Sequence, residues 1–223
     1  MSRSHPEQWT INEKADRPDP SLVAALRGLS TTQIADSGAP VGVVGPALRR
    51  LAGGAEVCGP AVTVWTKPGD ILFVLKATDL VAPGDVLVVD SGGREDAAVI
   101  GDIVGQTIAD LGRVDGLDAA GLPTFARTAH PATGSNQGPG AINVPVQCGG
   151  VAVHPGDVVR ADSSGLVVVP RDRLADVVAA ARAVAERETA WRAAIAGGQS
   201  LPAATGIDDL LAAVRAQEEP PAP

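Results

Sequence analysis

Pro83-Gly84-Asp85-Val86-Leu87-Val88-Val89-Asp90-Ser91-Gly92-Gly93-Arg94-Glu95-Asp96-Ala97-Ala98-Val99-Ile100-Gly101-Asp102 carries the reading of this chain. A turn, an apolar run from Val86 to Val89, a glycine pair and a second Gly-Asp succeed one another. Residues 84–112 therefore predict a tight turn feeding a buried strand, a Gly92-Gly93 loop, and a helix whose first residues include Asp102. A helix start leaves backbone N–H groups unpaired, and with the helix dipole these attract carboxylate or phosphate. Asp102 adds a hard oxygen ligand beside them. A divalent ion bridging Asp102 and a keto acid, with the acid's carboxylate on the N–H groups of Ile103 and Val104, is chemically coherent. The alternative is a plain turn between packed elements.

The chain around this stretch has 223 residues, 45% hydrophobic and 20% charged, enough for one sizeable core and ordinary for a folded soluble protein. One domain with tails is expected. The apolar runs are short, and Met-Ser-Arg-Ser-His-Pro-Glu has no apolar signal region, which points to the cytoplasm. A net charge of -8 with scattered basic residues argues against a nucleic acid or a membrane as partner. With no Tyr and two Phe, stacking platforms for bases are missing. Cys58 and Cys148 lie far apart beside glycines in apolar segments and read as buried, reduced thiols. His5, His130 and His154 lack ligand-like spacing with each other or with the cysteines, so no zinc site is expected.

Outward toward the N-terminus, residues 1–20 carry Pro6, Pro18 and Pro20 and read as an extended or loosely docked arm, with the fold starting near Ser21. Leu22–Leu29 predicts a short helix. Ser30-Thr31-Thr32-Gln33 offers a capping box for a second one, ended by Gly38. Gly42–Gly59 is Gly-rich and loop-like, and Ala61–Thr66 reads as a strand entered through Gly59-Pro60. Ile71–Leu80 should be a helix packed on it.

Toward the C-terminus, the helix from about Asp102 to Leu111 precedes a second helical stretch ending at Gly121, and Pro123–Arg127 should be a strand. Strands are expected at Val144–Gln147, Val151–Val153, Val158-Val159 and Leu166–Val169. Arg171–Ala196 is Ala-rich without Pro or Gly, with Leu174, Val177, Val178, Ala181, Val184 and Ala185 at helical spacing. Gly197-Gly198 stops that helix, Ile207–Gln217 forms a last one, and Glu219–Pro223 is expected to be disordered. Pro83-Gly84-Asp85-Val86 echoes Pro155-Gly156-Asp157-Val158, each followed by an Asp and a Gly loop; this reads as reused turn chemistry, not a tandem repeat.

Together, Gly59-Pro60-Ala61-Val62-Thr63-Val64, the stretch from Pro83 to Asp90, Gly92-Gly93, Gly101-Asp102, Gly121–Arg127, Asn143-Val144-Pro145-Val146 and Gly149–Pro170 resemble the RraA-like family. That family includes the 4-hydroxy-4-methyl-2-oxoglutarate/4-carboxy-4-hydroxy-2-oxoadipate aldolases and the regulators of ribonuclease E activity. The likeness runs from about Leu29 to Ala196 in consistent order. It implies an α/β fold with a layered β/β/α, swivelling-domain-like core in a single domain with N- and C-terminal helices. On this basis residues 1–20 are the arm, 21–196 the RraA-like domain, and 197–223 a C-terminal helix and tail. The resemblance also implies a homotrimer or hexamer with sites at subunit interfaces. Its aldolases use a divalent metal, Mg2+ or Mn2+, to cleave a 2-oxo acid to pyruvate, and many decarboxylate oxaloacetate. Lys14, Lys67 and Lys76, the chain's only lysines, sit in the arm or beside polar turns and are poor candidates for an imine.

Carried over by position, Gly101-Asp102 matches the family's Gly-Asp/Glu, whose acid supports the metal through water. Ile103 and Val104 match the residues whose N–H groups hold the pyruvate carboxylate. The family's further Arg-Asp pair supplies an Arg that binds the keto acid and an Asp that ligates the metal. Here the chain departs from the pattern. Eleven residues separate Gly101 from Arg113, the strand expected between them is missing, and Arg113-Val114-Asp115 stands where Arg-Asp would. Asp115 is the substitute metal ligand, with Asp118 behind it; both also read as solvated carboxylates on a short helix. Arg113 is the substrate clamp or an ordinary helix-end cation, and Arg127 faces either the site or solvent. Three functions compete. The first is a metal-dependent lyase acting on a 2-oxo dicarboxylate, with Asp102 and Arg113 catalytic and water carrying the proton because no His falls at the site. The second is a non-catalytic regulator that binds a protein partner. The third is a disabled aldolase relative.

Overall fold

The computed structural model describes residues 9–54, 56–101, 103–105, 107–108 and 122–218, with side chains described through Arg215. The chain divides into two units, residues 1–181 and 182–223.

The first unit is built on β4 (Val57–Thr66), a ten-residue strand. Its β-branched residues suit a strand buried on both faces. On one edge it pairs in parallel with β5 (Val86–Asp90), Thr63 opposite Val88. Its other edge is shared: Val57–Pro60 pair with β10 (Val158–Asp162), and Val64–Thr66 with β7 (Gly140–Ile142), both antiparallel. The sheet runs on from β10 through β11 (Gly165–Val169) to β2 (Gly42–Val43), and from β7 to β1 (Thr10–Ile11). Two ribbons stand apart, β3 (Arg49–Ala52) with β6 (Thr124–Ala126), and β8 (Val146–Cys148) with β9 (Val151–Val153).

Alternation along β4 and β5 divides the interior into two cores. Ala61 and Val88 face a cluster with Val144, Val146, Val153, Val159 and Val168, which brings in the β8–β9 ribbon. Val62 and Val64 face Phe73, Val74 and Ala77 of α3 (Leu72–Ala77), together with Val81, Val104 and Ile142. One face of the sheet thus meets strands and the other a helix, giving the layered α/β architecture expected from the sequence.

Helix α1 (Pro20–Arg27) begins two residues before the expected Leu22, capped by Asp19, and α2 (Thr31–Ala35) carries the capping box that the sequence suggests. Ser30 Oγ accepts from Gln33 N, and the Gln33 side chain accepts from Ser30 N. Asp162 adds a tertiary clamp, accepting from Thr31 N at 2.7 Å and Thr31 Oγ1 at 2.6 Å. After a 3-10 turn at Arg171–Arg173, α4 (Leu174–Ala196) buries Leu174, Val177, Val178 and Ala181 within the first unit. The second unit continues α4 from Arg182 and adds α5 (Leu201–Thr205) and α6 (Ile207–Glu218). No helix among the described residues is long and apolar enough to cross a membrane.

The turn chemistry occurs three times. In Lys67-Pro68-Gly69-Asp70, Ala82-Pro83-Gly84-Asp85 and His154-Pro155-Gly156-Asp157, the aspartate N–H donates to the carbonyl three residues back, at 2.9, 3.0 and 3.1 Å. The glycines have φ of 74°, 89° and 84°, the third position of a type II turn. Asp85 and Asp157 return a carboxylate oxygen to the N–H that opens their own turn, Ala82 and His154, at 2.8 Å each.

Several expectations change. Gly42–Gly59 is not loop-like, since it holds β2, β3 and the start of β4; its glycines serve close approaches and turns between short strands. Of the strand placed at Val144–Gln147 only the end is extended, in β8 (Val146–Cys148), and β7 at Gly140–Ile142 is a further strand before it. Asn143 between them takes φ 52°, a left-handed break that Asn tolerates. The arm is ordered well before Ser21: Trp9 N donates to Gly140 O at 2.9 Å, β1 runs parallel to β7, and Asn12 and Asn143 exchange side-chain amide to backbone carbonyl bonds at 3.1 and 2.8 Å. This closes an edge of β7 that would otherwise offer unpaired groups. Helix α5 was not anticipated, and the tail expected to be disordered, Glu219–Pro223, lies outside the described residues.

Arg17 completes the arm by gripping Asp85 with two bonds of 2.5 and 2.7 Å. Arg17 is half exposed while the Asp85 side chain is buried. Solvent screening weakens the attraction, but its loss leaves an enclosed carboxylate with one fewer donor. Arg17→Ala is expected to cost about 1 kcal/mol in urea denaturation. An unchanged midpoint would show that the arm is held by its backbone bonds alone.

Candidate functional site

Because β4 and β5 are parallel, their carboxyl ends lie together at Trp65 and Asp90. This is where open α/β sheets place ligands. Asp90 shapes this end: Oδ1 accepts from Gly92 N at 2.9 Å and Oδ2 from Gln147 N at 3.1 Å, tying the glycine loop to β8. Gly92 has φ 69°, and a Cβ there would sit 2.6 Å from Pro68 Cγ, so the loop passes too close to the 67–70 turn for a side chain. Arg94 pairs with Asp96 at the surface. Beyond them, Ala98 N donates to Ala132 O at 2.8 Å and Gly134 N to Ala98 O at 3.1 Å, lacing this loop to the segment after β6.

Residues 103–105, 107 and 108 are helical, and Gly105 N donates to Gly101 O at 2.9 Å. Gly101 therefore takes the first intrahelical bond, and the N–H groups of Ile103 and Val104 come before the helix's first donor and have no intrahelical acceptor. Val104 is buried, in the core cluster that contains Phe73 and Val64, and Ile100 and Ile108 pack on the same cluster. Ile103 is 82% exposed. The turn is thus pinned by apolar side chains on either side of the N–H groups that precede the first helical bond.

Of the other expected site residues, Asp102, Arg113, Asp115 and Asp118 lie outside the described residues, as do Gly121 and the end of the helix expected to run to Leu111. Arg127 is exposed just after β6. Among the described residues no three His, Cys, Asp or Glu side chains are grouped to hold a metal. All three lysines are exposed.

Sequence reasoning missed Asp70 and Asp90. Asp70 is fully buried, and its carboxylate accepts from Ser135 Oγ at 2.6 Å, Gln137 N at 2.8 Å, Leu72 N at 2.9 Å and Gly138 N at 3.0 Å. It starts α3 and fastens the 135–138 segment beside the site. The signal was present, because Pro68-Gly69-Asp70 repeats the Pro-Gly-Asp pattern seen at 83–85 and 155–157.

Both cysteines are free, Cys58 buried and Cys148 half-buried. Burial, with a smaller contribution from the charge of Asp90, pushes the Cys148 thiol up to about 11. Burial raises Cys58 as well, against the pull of Arg27 and Arg160. At pH 8 about one Cys148 in a thousand is thiolate, so thiol-specific labelling of the folded protein should be slow at both positions. Rapid labelling under native conditions would contradict this enclosure.

A family model described as RraA-like, Aldolase/RraA, matches residues 31–168. A protein of Halalkalibacterium halodurans provisionally named 4-hydroxy-4-methyl-2-oxoglutarate aldolase is 34% identical over 172 residues, 72% of this chain and 82% of its own length. An uncharacterized protein of Pseudomonas syringae pv. tomato superposes with TM-score 0.72 at 28% identity, over 91% of this chain and 98% of the other. Streptomyces coelicolor RraAS2, described as an unusual member of the RNase ES inhibitor RraA protein family, superposes with TM-score 0.67 at 29% identity, over 79% of this chain and 98% of its own.

Proposed function

The chain belongs to the RraA-like family, and from that premise we propose that it is a divalent-metal-dependent lyase that cleaves a 2-oxo dicarboxylate to pyruvate. Its substrate class is that of 4-hydroxy-4-methyl-2-oxoglutarate or oxaloacetate. The observation that carries the reading is the pair of helix-opening N–H groups at Ile103 and Val104, at the start of the helix that follows β5 and its glycine loop and adjacent in sequence to Asp102. Two unpaired N–H groups at a helix start suit one carboxylate of a keto acid.

The donor chemistry fits a hard divalent cation, Mg2+ or Mn2+. Asp102 and Asp115 offer carboxylate oxygens, and the three lysines, being exposed, make a poor desolvated imine site. Such an ion, when bound, polarises the keto oxygen and stabilises enolate charge. In this reading Asp102 helps to hold the ion, Asp115 is the direct ligand, and Arg113 clamps the substrate's carboxylate. The buried Val104 keeps the two N–H groups in place. The Gly92 N–H bond to Asp90 holds the loop that follows β5.

A second reading, a protein-binding regulator without turnover, is supported by the likeness to RraAS2, an unusual member of the RNase ES inhibitor RraA protein family, and by Arg113-Val114-Asp115 standing in place of Arg-Asp. Pyruvate release from both substrates, with Mg2+ or Mn2+ and then with a chelator, separates the two. Chelator-sensitive turnover supports the lyase. Its absence from a folded, correctly assembled sample leaves the regulator.

A further inference from the structure

Trp9 is held in a way that neither burial nor an easy backbone accounts for. Its φ is 72°, in the left-handed region, where a bulky side chain is strained. Glycine would sit there freely. Its side chain is left 60% exposed, so removal from water is a small part of what keeps it in place. Strain retained without burial is a sign of function, and the function lies in what the ring touches.

The ring touches two groups. One is Gly138, where a Cβ would lie 2.7 Å from Trp9 Cη2, so the indole rests directly on that backbone. The other is Phe73 of α3, with ring centroids 5.8 Å apart and planes tilted by 58°. Phe73 in turn lies against Gly140, where a Cβ would be 2.5 Å from its Cγ. Trp9 N donates to Gly140 O at 2.9 Å, which fixes the base of the indole to the same strand. Residues 138–140 are thus gripped by two aromatic rings, and Gly138 N is tied to Asp70 as well.

The buried end of this lock reaches the candidate site. Phe73 and Val104 belong to one enclosed cluster. Interiors are close-packed, so the position of a large ring limits where its cluster neighbours can lie. Val104 carries one of the two N–H groups that precede the helix's first bond, Gly105 N to Gly101 O. A shift of Phe73 is therefore felt at the helix start.

We propose that Trp9 is a positioning residue for the helix start at Ile103 and Val104, acting through Phe73. The arm, which the sequence sets apart from the domain, is on this inference a working part of the site. The inference rests on the lyase reading only for its ligand, a 2-oxo acid whose carboxylate the two N–H groups receive. The mechanical link is measured without substrate.

The test is amide exchange at Gly105 in the full chain, because that N–H makes the first bond of the helix. Trp9→Ala is expected to speed this exchange by about tenfold, and Trp9→Phe to restore most of the protection. Trp9→Gly loses the ring and the strain together, so it should hold the thermal midpoint near that of the wild type while Gly105 still exchanges faster. A general loss of stability cannot produce that pair of results. In turnover, Trp9→Ala should raise KM for the keto acid by about tenfold with kcat within about twofold, because the loosened grip serves ground state and transition state alike. A merely structural role would lower kcat through the folded fraction and leave KM unchanged, and that result would overturn the proposal. Unchanged Gly105 exchange in Trp9→Ala, or no recovery in Trp9→Phe, would overturn it whether or not the protein turns over. A wild type without turnover would reject the lyase reading, and the exchange result alone would then decide the link from Trp9.

Discussion

Asp102→Ala is expected to lower chelator-sensitive pyruvate release by about a hundredfold, the usual scale for losing a carboxylate that supports a metal through water. Ile103 and Val104 present N–H groups without helical acceptors, so a substrate carboxylate bound there lies beside residue 102. Removing the acid takes away negative charge that favours the divalent ion while leaving those donors untouched. The expected signature is therefore weaker Mn2+ dependence, with the loss partly overcome by high metal concentration. Asp102→Glu should retain part of the rate, because it keeps the carboxylate. An Asp102→Ala protein with full activity and unchanged metal dependence would remove Asp102 from the site. A folded wild type without turnover would instead reject the lyase and favour the regulator.

The second large effect is on stability. Asp70→Ala is expected to cost about 3 kcal/mol, near 10 °C in thermal midpoint for a chain of this size. The carboxylate is enclosed and serves three backbone N–H groups and one hydroxyl, and alanine strands these donors where the chain cannot easily rehydrate them. The damage should centre on the start of α3 and on residues 135–138, visible as faster amide exchange there. A loss below 1 kcal/mol would show that water replaces the carboxylate at little cost.

The same group makes a pH prediction. Burial acts to raise the Asp70 carboxyl, but the hydrogen bonds from Ser135, Leu72, Gln137 and Gly138 together outweigh it and hold the group below the ordinary carboxylate range. Its folded value is thus lower than its unfolded one. The stabilisation is fully present above the unfolded value, near 3.9, and is lost as pH falls through the folded one. Asp162, lowered by Thr31 and Ser164 against burial, acts in the same direction. Acid destabilisation of the wild type should steepen below about pH 4, and Asp70→Asn should flatten it.

Much of the fold could be read from local pattern, because the physics involved is local. The Val86–Val89 run, the Ser30/Gln33 box, the Leu174–Ala181 spacing and the Pro-Gly-Asp turns depend on neighbours a few residues away. The strand at Val144–Gln147 differs from the structure for the opposite reason. An apolar run containing one Asn gives no local sign that Asn143 will turn left-handed and clasp Asn12, 131 residues distant. Asp70 was overlooked likewise, since a Pro-Gly-Asp turn announces itself but its donors at 135–138 do not.

The amino-acid sequence by itself determined the family and the α/β class, through its motifs, and the strand from Val86 and the helix start beyond Gly101, through short-range spacing and turn chemistry. Only the tertiary structure decided that the arm docks on β7, that Val104 anchors the helix start in the core, and that α6 is left with an open apolar stripe. Each of these depends on which distant surfaces meet, and burial is a property of the assembled chain rather than of any residue in it.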